Sequence, residues 1–207
     1  MITPNPISIS TVVLVGGRAK RFGGVDKASL SVPGQNKTFL EHILAELKSL
    51  ALPVLLIGRA DQDNPAPTHP FISDHYPNTG PLGALTTAME QAKTEWYFLV
   101  ACDLPTFSGT IVKRLLTLQQ NNPNATSLIP KSHEHLEVTA ALYHRSNLGH
   151  LQGELAKGNY SLKRWVHSLD ASAVATWNTS DDEAKWFRNV NSPEDLQQLQ
   201  ETSAKTA

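Results

Sequence analysis

Short unbroken apolar runs alternate with amphipathic stretches along this chain. "TVVLV" (11–15) is mostly β-branched and stops at Gly16, the pattern of a strand buried on both faces of a sheet. In "TFLEHILAELKSL" (38–50), Leu40, Ile43, Leu44 and Leu47 fall on one helical stripe. The alternation continues. Strands are predicted at 53–58, in a short run ending at Asp74, and at 95–103, 125–130, 138–144 and 172–177. Helices are predicted at 80–92, 109–120, 147–157 and 161–169. A last helix opens at "NSPEDLQQLQ", with Ser192 as N-cap, Pro193 in the first position and Glu194 and Asp195 against the positive helix end. Strands alternating with helices imply βαβ crossovers, hence an α/β fold in three layers: a doubly wound, mostly parallel sheet with helices on both faces. Residues 1–207 are expected to form a single domain, with 1–10 and 200–207 flexible.

Composition narrows the function classes. Hydrophobic residues make up 40% of the 207 and charged residues 18%, a globular balance. A formal net charge of −1 lacks the basic excess of a general nucleic-acid binder. The single cysteine, Cys102, allows no intrachain disulfide and points to a reducing compartment. There is no apolar run of about 18 residues, so no membrane span is expected. The start, "MITPNPISIS", lacks the basic and apolar regions of a secretory signal. A cytoplasmic protein with no nucleic-acid and no membrane partner is expected.

Charge is concentrated in one place. "LVGGRAKRFGGVDK" (14–27) sets Arg18, Lys20, Arg21 and Lys27 among four glycines, directly after the first strand. Ligands of open parallel sheets lie beyond the carboxyl ends of the strands. Glycines there permit close backbone approach, and successive N–H groups can converge on an anion. Arginine and lysine suit phosphate oxygens. The residues alone leave two readings open, a polyphosphate cradle and a solvated basic loop. Neither a Walker A loop nor a G-x-G-x-x-G fingerprint is present. Asp74 and Asp103 each end an apolar strand. Parallel strands would bring both carboxylates to the edge that carries the glycine loop, where a Mg²⁺ on a triphosphate takes oxygen ligands. Each aspartate also reads as a turn residue. Cys102 reads as a buried small hydrophobe, and His133 and His135, without a third ligand, as solvated.

The 14–27 segment resembles the L-x-G-G-x-x-x-R-[MF]-G-G-x-D-K signature of the molybdenum cofactor guanylyltransferase family. "VACDLP", "SDHYPNTGPLGAL" and "FRNVNSPEDL" resemble further elements of that family, and the resemblance covers about 12–196. It implies a Rossmann-like nucleotidyltransferase fold and transfer of GMP from GTP to the terminal phosphate of molybdopterin cofactor, with release of pyrophosphate. By resemblance, Leu14, Val15, Gly16 and Gly17 bind the nucleotide through backbone. Arg21 contacts phosphates, Lys27 holds them through the transition state, and Asp103 binds Mg²⁺, with Mn²⁺ as the alternative ion. Asp74 contacts the nucleotide, and Asn189 and Asn191 lie beside the acceptor. "GNYSLKRWV" resembles an acceptor segment in which Lys163 and Arg164 meet phosphate and the Trp165 indole lies on the pterin ring. The residues themselves read rather as an amphipathic helix with its charges in water. No asparagine stands in register in "VLLIGRAD", where the family has one, and Glu137-Val138-Thr139 replaces a His/Gln-Pro-Thr step. Transient contacts with cofactor-supplying and cofactor-receiving proteins are the protein partners implied. Two other readings stay open: a cytidylyl- or other nucleotidyltransferase acting on a different phosphorylated acceptor, and a non-catalytic nucleotide-binding regulator.

Overall fold

The computed structural model describes residues 7–19 and 22–204. The strands of the main sheet are β1 (Ile9–Leu14), β4 (Val54–Gly58), β5 (Phe71–Ser73), β6 (Trp96–Ala101), β7 (Ser127–Ser132), β8 (His135–Leu136), β9 (Ala140–His144) and β10 (Val174–Asn178). Seven of them lie in the order β10-β7-β9-β6-β1-β4-β5, and β8 adds to β7. A separate small hairpin pairs β2 (Arg18–Ala19) with β3 (Val25–Asp26). β1 runs parallel to both β4 and β6, β4 to β5 and β7 to β10. Within the main sheet only β9 and the short β8 run against their neighbours.

Strand period 2 divides the core between the two faces. Val13, Phe98 and Leu142 pack with Ile43 and Leu47 of α1 (Phe39–Lys48) and with Ile111 and Leu115 of α3 (Thr110–Asn121). Their neighbours Val12, Leu99 and Ala141 point the other way. They meet Leu82 and Leu85 of α2 (Gly80–Gln91), Leu151 of α4 (Leu148–Ala156) and Trp165 of α5 (Leu162–Ser168). The three layers and mixed, mostly parallel sheet are those predicted. Helix ends obey local chemistry: Thr38 and Glu41 form a reciprocal capping box at α1.

The differences are short or edge elements. α6 (Asp181–Ala184) and the β2–β3 and β7–β8 hairpins were not predicted, being too brief to show periodicity. Pro130 stands inside β7, where a strand ending at 130 was expected. The ladder between β7 and β9 pairs Ser127 and Leu128 only, so the missing N–H falls beyond it. At the chain ends, expected to be flexible over 1–10 and 200–207, Ile9 and Ser10 are already buried in β1, and α7 (Pro193–Ala204) continues to Ala204.

The sheet reverses its order at β1. The chain builds β1, β4 and β5 outward on one side, then crosses back to place β6 on the other. This switch point opens a crevice at the carboxyl ends of the strands. Val190 donates its backbone N–H to the Asp103 carbonyl at 3.0 Å. Val190 also packs with Val32, Phe39 and Leu199. These contacts lay the segment before α7 across that crevice.

Candidate active site

The site begins with register. Leu14 pairs with Ala101 of β6 and with Ile57 of β4. Two residues past these pairs, Gly16 and Asp103 therefore leave neighbouring strands on the same edge. Past Gly17 the chain turns back through β2 and β3, with Gly23 (φ 74°) and Gly24 (φ 85°) making the tip. Those angles lie in the left-handed region that L side chains rarely adopt, which explains this glycine pair. Lys27 then returns to the base of the loop, its N–H on the Gly17 carbonyl at 3.3 Å.

From there the Lys27 side chain reaches two partners. Its Nζ stands 2.8 Å from Asp103 Oδ2 and 2.5 Å from Asn191 Oδ1. Both side chains of the Lys27–Asp103 ion pair are largely buried, at 14% and 17% exposure. The second oxygen of Asp103, Oδ1, is buried with no hydrogen-bond partner among the described residues. A buried carboxylate oxygen left this way is costly and asks for a ligand. A divalent cation with oxygen ligands fits: one carboxylate is enough when phosphate oxygens and water complete the shell. Among the described residues no cluster of three or more His, Cys, Asp or Glu gathers elsewhere to hold a metal by protein ligands alone.

Asn191 is placed by helix capping. Asp195 Oδ2 accepts from the backbone N–H of Asn191 (2.8 Å) and of Ser192 (2.9 Å), while Ser192 Oγ accepts from the Asp195 N–H (3.3 Å). The predicted Ser192 cap is present and leaves the Asn191 side chain to turn toward Lys27. Asn189 instead donates to the Phe187 carbonyl at 3.5 Å, a local contact.

The remaining sequence-derived residues separate. Leu14 and Val15 lie at the end of β1, where Val15 is fully buried and its N–H goes to the Ile57 carbonyl. Gly17 is exposed. Arg21 lies outside the described residues. Asp74 follows β5, two strands from β1. Its Oδ1 accepts from the Tyr76 N–H and the Thr87 hydroxyl, both at 2.9 Å. Burial raises its pKa. Lys163 and Arg164 are exposed on α5, and Lys163 acts electrostatically on Glu137. The Trp165 reading is corrected: the indole is 2% exposed and packs on Tyr143 with ring centroids 5.9 Å apart. Leu162, Trp165 and Val166 form the buried stripe of α5, which leaves no indole face for a ligand. Cys102 is buried as predicted, and burial pushes its thiol up to about 12.

Two residues at the site were missed. Arg59 Nη1 donates to the Gly16 carbonyl at 2.8 Å, and its Nη2 stands 3.0 Å from Asp26 Oδ1. Gln62 Nε2 donates to the Val15 carbonyl at 3.1 Å, and its Oε1 accepts the Arg59 N–H at 3.3 Å. Polar residues directly after a buried strand were the available signal: Arg59 follows β4 immediately.

The family model described as "MobA-like NTP transferase domain" matches residues 11–174, well over half of the chain. The chain belongs to that family. Among curated relatives of this MobA-like chain, a molybdenum cofactor guanylyltransferase from Vibrio cholerae is 29% identical over 95% of this chain and 94% of its own length. One from Polynucleobacter asymbioticus is 30% identical, covering 95% and 98%. Among solved structures, molybdopterin-guanine dinucleotide biosynthesis protein A from Archaeoglobus fulgidus superposes with a TM-score of 0.77 at 22% identity, over 95% of this chain and 99% of that one. The 2-C-methyl-D-erythritol 4-phosphate cytidylyltransferase of Thermus thermophilus shares the fold with a TM-score of 0.70 at 17% identity, over 96% and 100%. No helix among the described residues is long and apolar enough to cross a membrane.

Proposed function

We propose that this chain transfers GMP from GTP to the terminal phosphate of molybdopterin cofactor, releasing pyrophosphate, and does so in the cytoplasm as one nucleotidyltransferase domain over 1–207. One observation carries the reading: Lys27 and Asp103 meet at 2.8 Å beside the glycine loop, with the second carboxylate oxygen unpartnered among the described residues. Membership of the MobA-like family and the names of the relatives support the choice of GTP and pterin.

An acceptor phosphate is already anionic, so the reaction requires no protein nucleophile and no base. Its oxygen attacks the α-phosphorus, the bond to the β-phosphate oxygen breaks, and pyrophosphate carries away the electron pair. The barrier lies in bringing anions together and in charge building on the leaving group, so the protein works by positioning and charge. Lys27 supplies a cation at the base of the loop, held in place by Asn191. The loop amides are assigned to the β- and γ-phosphates, Arg21 to the phosphates on the family resemblance alone, and Leu14, Val15, Gly16 and Asp74 to the nucleoside end. Asn189, Asn191, Lys163 and Arg164 are assigned to the acceptor side. Asp103 Oδ1 would hold Mg²⁺ or Mn²⁺, which supplies Lewis-acid neutralisation of phosphate charge when bound.

The test is transfer of label from α-labelled GTP to a molybdopterin acceptor, with ATP, CTP and UTP as competitors. GTP is expected to prevail clearly. Preference for another nucleotide would move the chain to a different acceptor reaction, and nucleotide binding without transfer would make it a regulator.

A further inference from the structure

Arg59 occupies a place that neither the chemistry of transfer nor the packing of the core requires. It is the first residue after β4, and its guanidinium spreads over three acceptors. Nη1 donates to the Gly16 carbonyl at 2.8 Å, Nη2 meets Asp26 Oδ1 at 3.0 Å, and Nε meets Asp61 Oδ1 at 3.1 Å. The first two belong to opposite feet of one loop. Gly16 is where the chain leaves β1, and Asp26 is where it returns, one residue before Lys27. Backbone pairing also joins the feet, through the Lys27 N–H on the Gly17 carbonyl at 3.3 Å and the short β2–β3 ladder that pairs Arg18 with Asp26, but no other side chain among the described residues reaches both. A Cβ built on Gly16 would lie 3.4 Å from Arg59 Cγ, so the arginine stem also lies flat against the outgoing foot.

A planar fork with fixed donors suits such a span; an ammonium does not, because it is a point charge on a flexible stem. The Arg59 side chain is 25% exposed and that of Asp26 37%, so the bridge is partly screened and adds little to global stability. Its effect is local. It takes away the freedom of two chain segments to drift apart, and a ligand that needs both segments in place then has less ordering to impose.

We propose that Arg59 is a positioning residue, a latch that holds the two feet of the 16–27 loop together through Gly16 and Asp26 and so preorganises the loop for a nucleotide. The identity of the ligand rests on the function proposed above; the latch itself rests on geometry. Lys27 is separately held by Asp103 and Asn191. Loss of the latch therefore weakens nucleotide binding and leaves the chemical step nearly intact.

The experiment is a double-mutant cycle on the full chain with Arg59→Gln, Asp26→Asn and the pair, reading KM for GTP and kcat separately, together with amide hydrogen exchange at Val25–Lys27. Each single variant is expected to raise KM about tenfold with kcat within about twofold, because it removes preorganisation and no group that meets the reacting atoms. The double variant is expected to lose no more than either single one, since both break the same bridge. Exchange at the Lys27 amide should quicken in all three. Unchanged KM in Arg59→Gln, losses that multiply to about a hundredfold in the pair, or unchanged exchange at Lys27 would each overturn the latch. If the wild-type chain transfers no GMP, the functional reading fails by itself. Exchange, and the Kd of Mg²⁺-GTP in place of KM, then still decide the latch.

Discussion

Lys27 and Asp103 are 76 positions apart in sequence, yet Lys27 Nζ lies 2.8 Å from Asp103 Oδ2. Parallel pairing of β1 with β6, which registers Leu14 with Ala101, is what brings them together. Much of the site's behaviour follows from that one register.

Replacing either partner removes charge from the reaction centre and touches no core side chain. Asp103→Asn and Lys27→Ala are each expected to lower kcat for GMP transfer by about 10²–10³. Circular dichroism should stay that of the wild type. Near-normal turnover at saturating GTP and Mg²⁺ would reject the assigned roles.

Removal of divalent metal should have the same sense. With the cation chelated, transfer is expected to stop, and added Mg²⁺ or Mn²⁺ to restore it, because Asp103 Oδ1 has no partner among the described residues to take its place. In Asp103→Asn, titrated Mg²⁺ should fail to restore the wild-type rate at any concentration.

Asp195 accepts the N–H groups of Asn191 and Ser192 at 2.8 and 2.9 Å. Asp195→Ala unties the start of α7 and should lower stability to urea by about 1 kcal/mol, the ordinary cost of a lost helix cap. It also releases Asn191 from its place beside Lys27, so transfer should weaken as well.

Glu137 makes stability depend on pH. Burial, partly offset by the nearby Lys163 cation, raises its carboxyl from 4.5 to about 7. The folded chain therefore holds this proton more tightly than the unfolded chain. Its contribution is complete below pH 4.5 and is lost as pH rises through 7. Glu137→Gln is expected to stabilise the protein by roughly 1 kcal/mol at pH 8, a figure discounted for partial exposure, and to have little effect at acid pH. Urea unfolding of both proteins across this range checks the sign.

Cys102 should be silent in the native state. Its thiol is buried and pushed up to about 12, so it offers almost no thiolate at neutral pH. Thiol reagents are expected to react only at the rate of unfolding, and Cys102→Ala to retain transfer.

Strand and helix periodicity was legible wherever it ran long enough. β1, β4, β6, α1 and α3 appear close to their predicted limits, because each carries a run or stripe that only one backbone geometry can bury. The glycine pair at 23–24 was equally readable, and its positive φ angles give the reason. Trp165 shows the limit of the resemblance. It implies a ligand platform, but the reading of the residues themselves, an amphipathic helix, holds: on α5 the i, i+3, i+4 spacing of Leu162, Trp165 and Val166 turns the ring inward and the cations outward. Arg59 shows the opposite limit: nothing local to it says that its fork will reach the carbonyl of residue 16 and the carboxylate of residue 26.

By itself, then, the amino-acid sequence determined the layers, the strands that end in aspartate, the loop rich in glycine and cation, and the cap that opens the last helix. These depend on interactions within a few positions and on the period of apolar side chains. The tertiary structure alone decided that Lys27 pairs with Asp103 and Asn191, that Asp74 turns to Thr87, and that Arg59 ties the loop shut. Contacts of that kind depend on strand order and register, which are settled by packing of the whole sheet and carry no local signature.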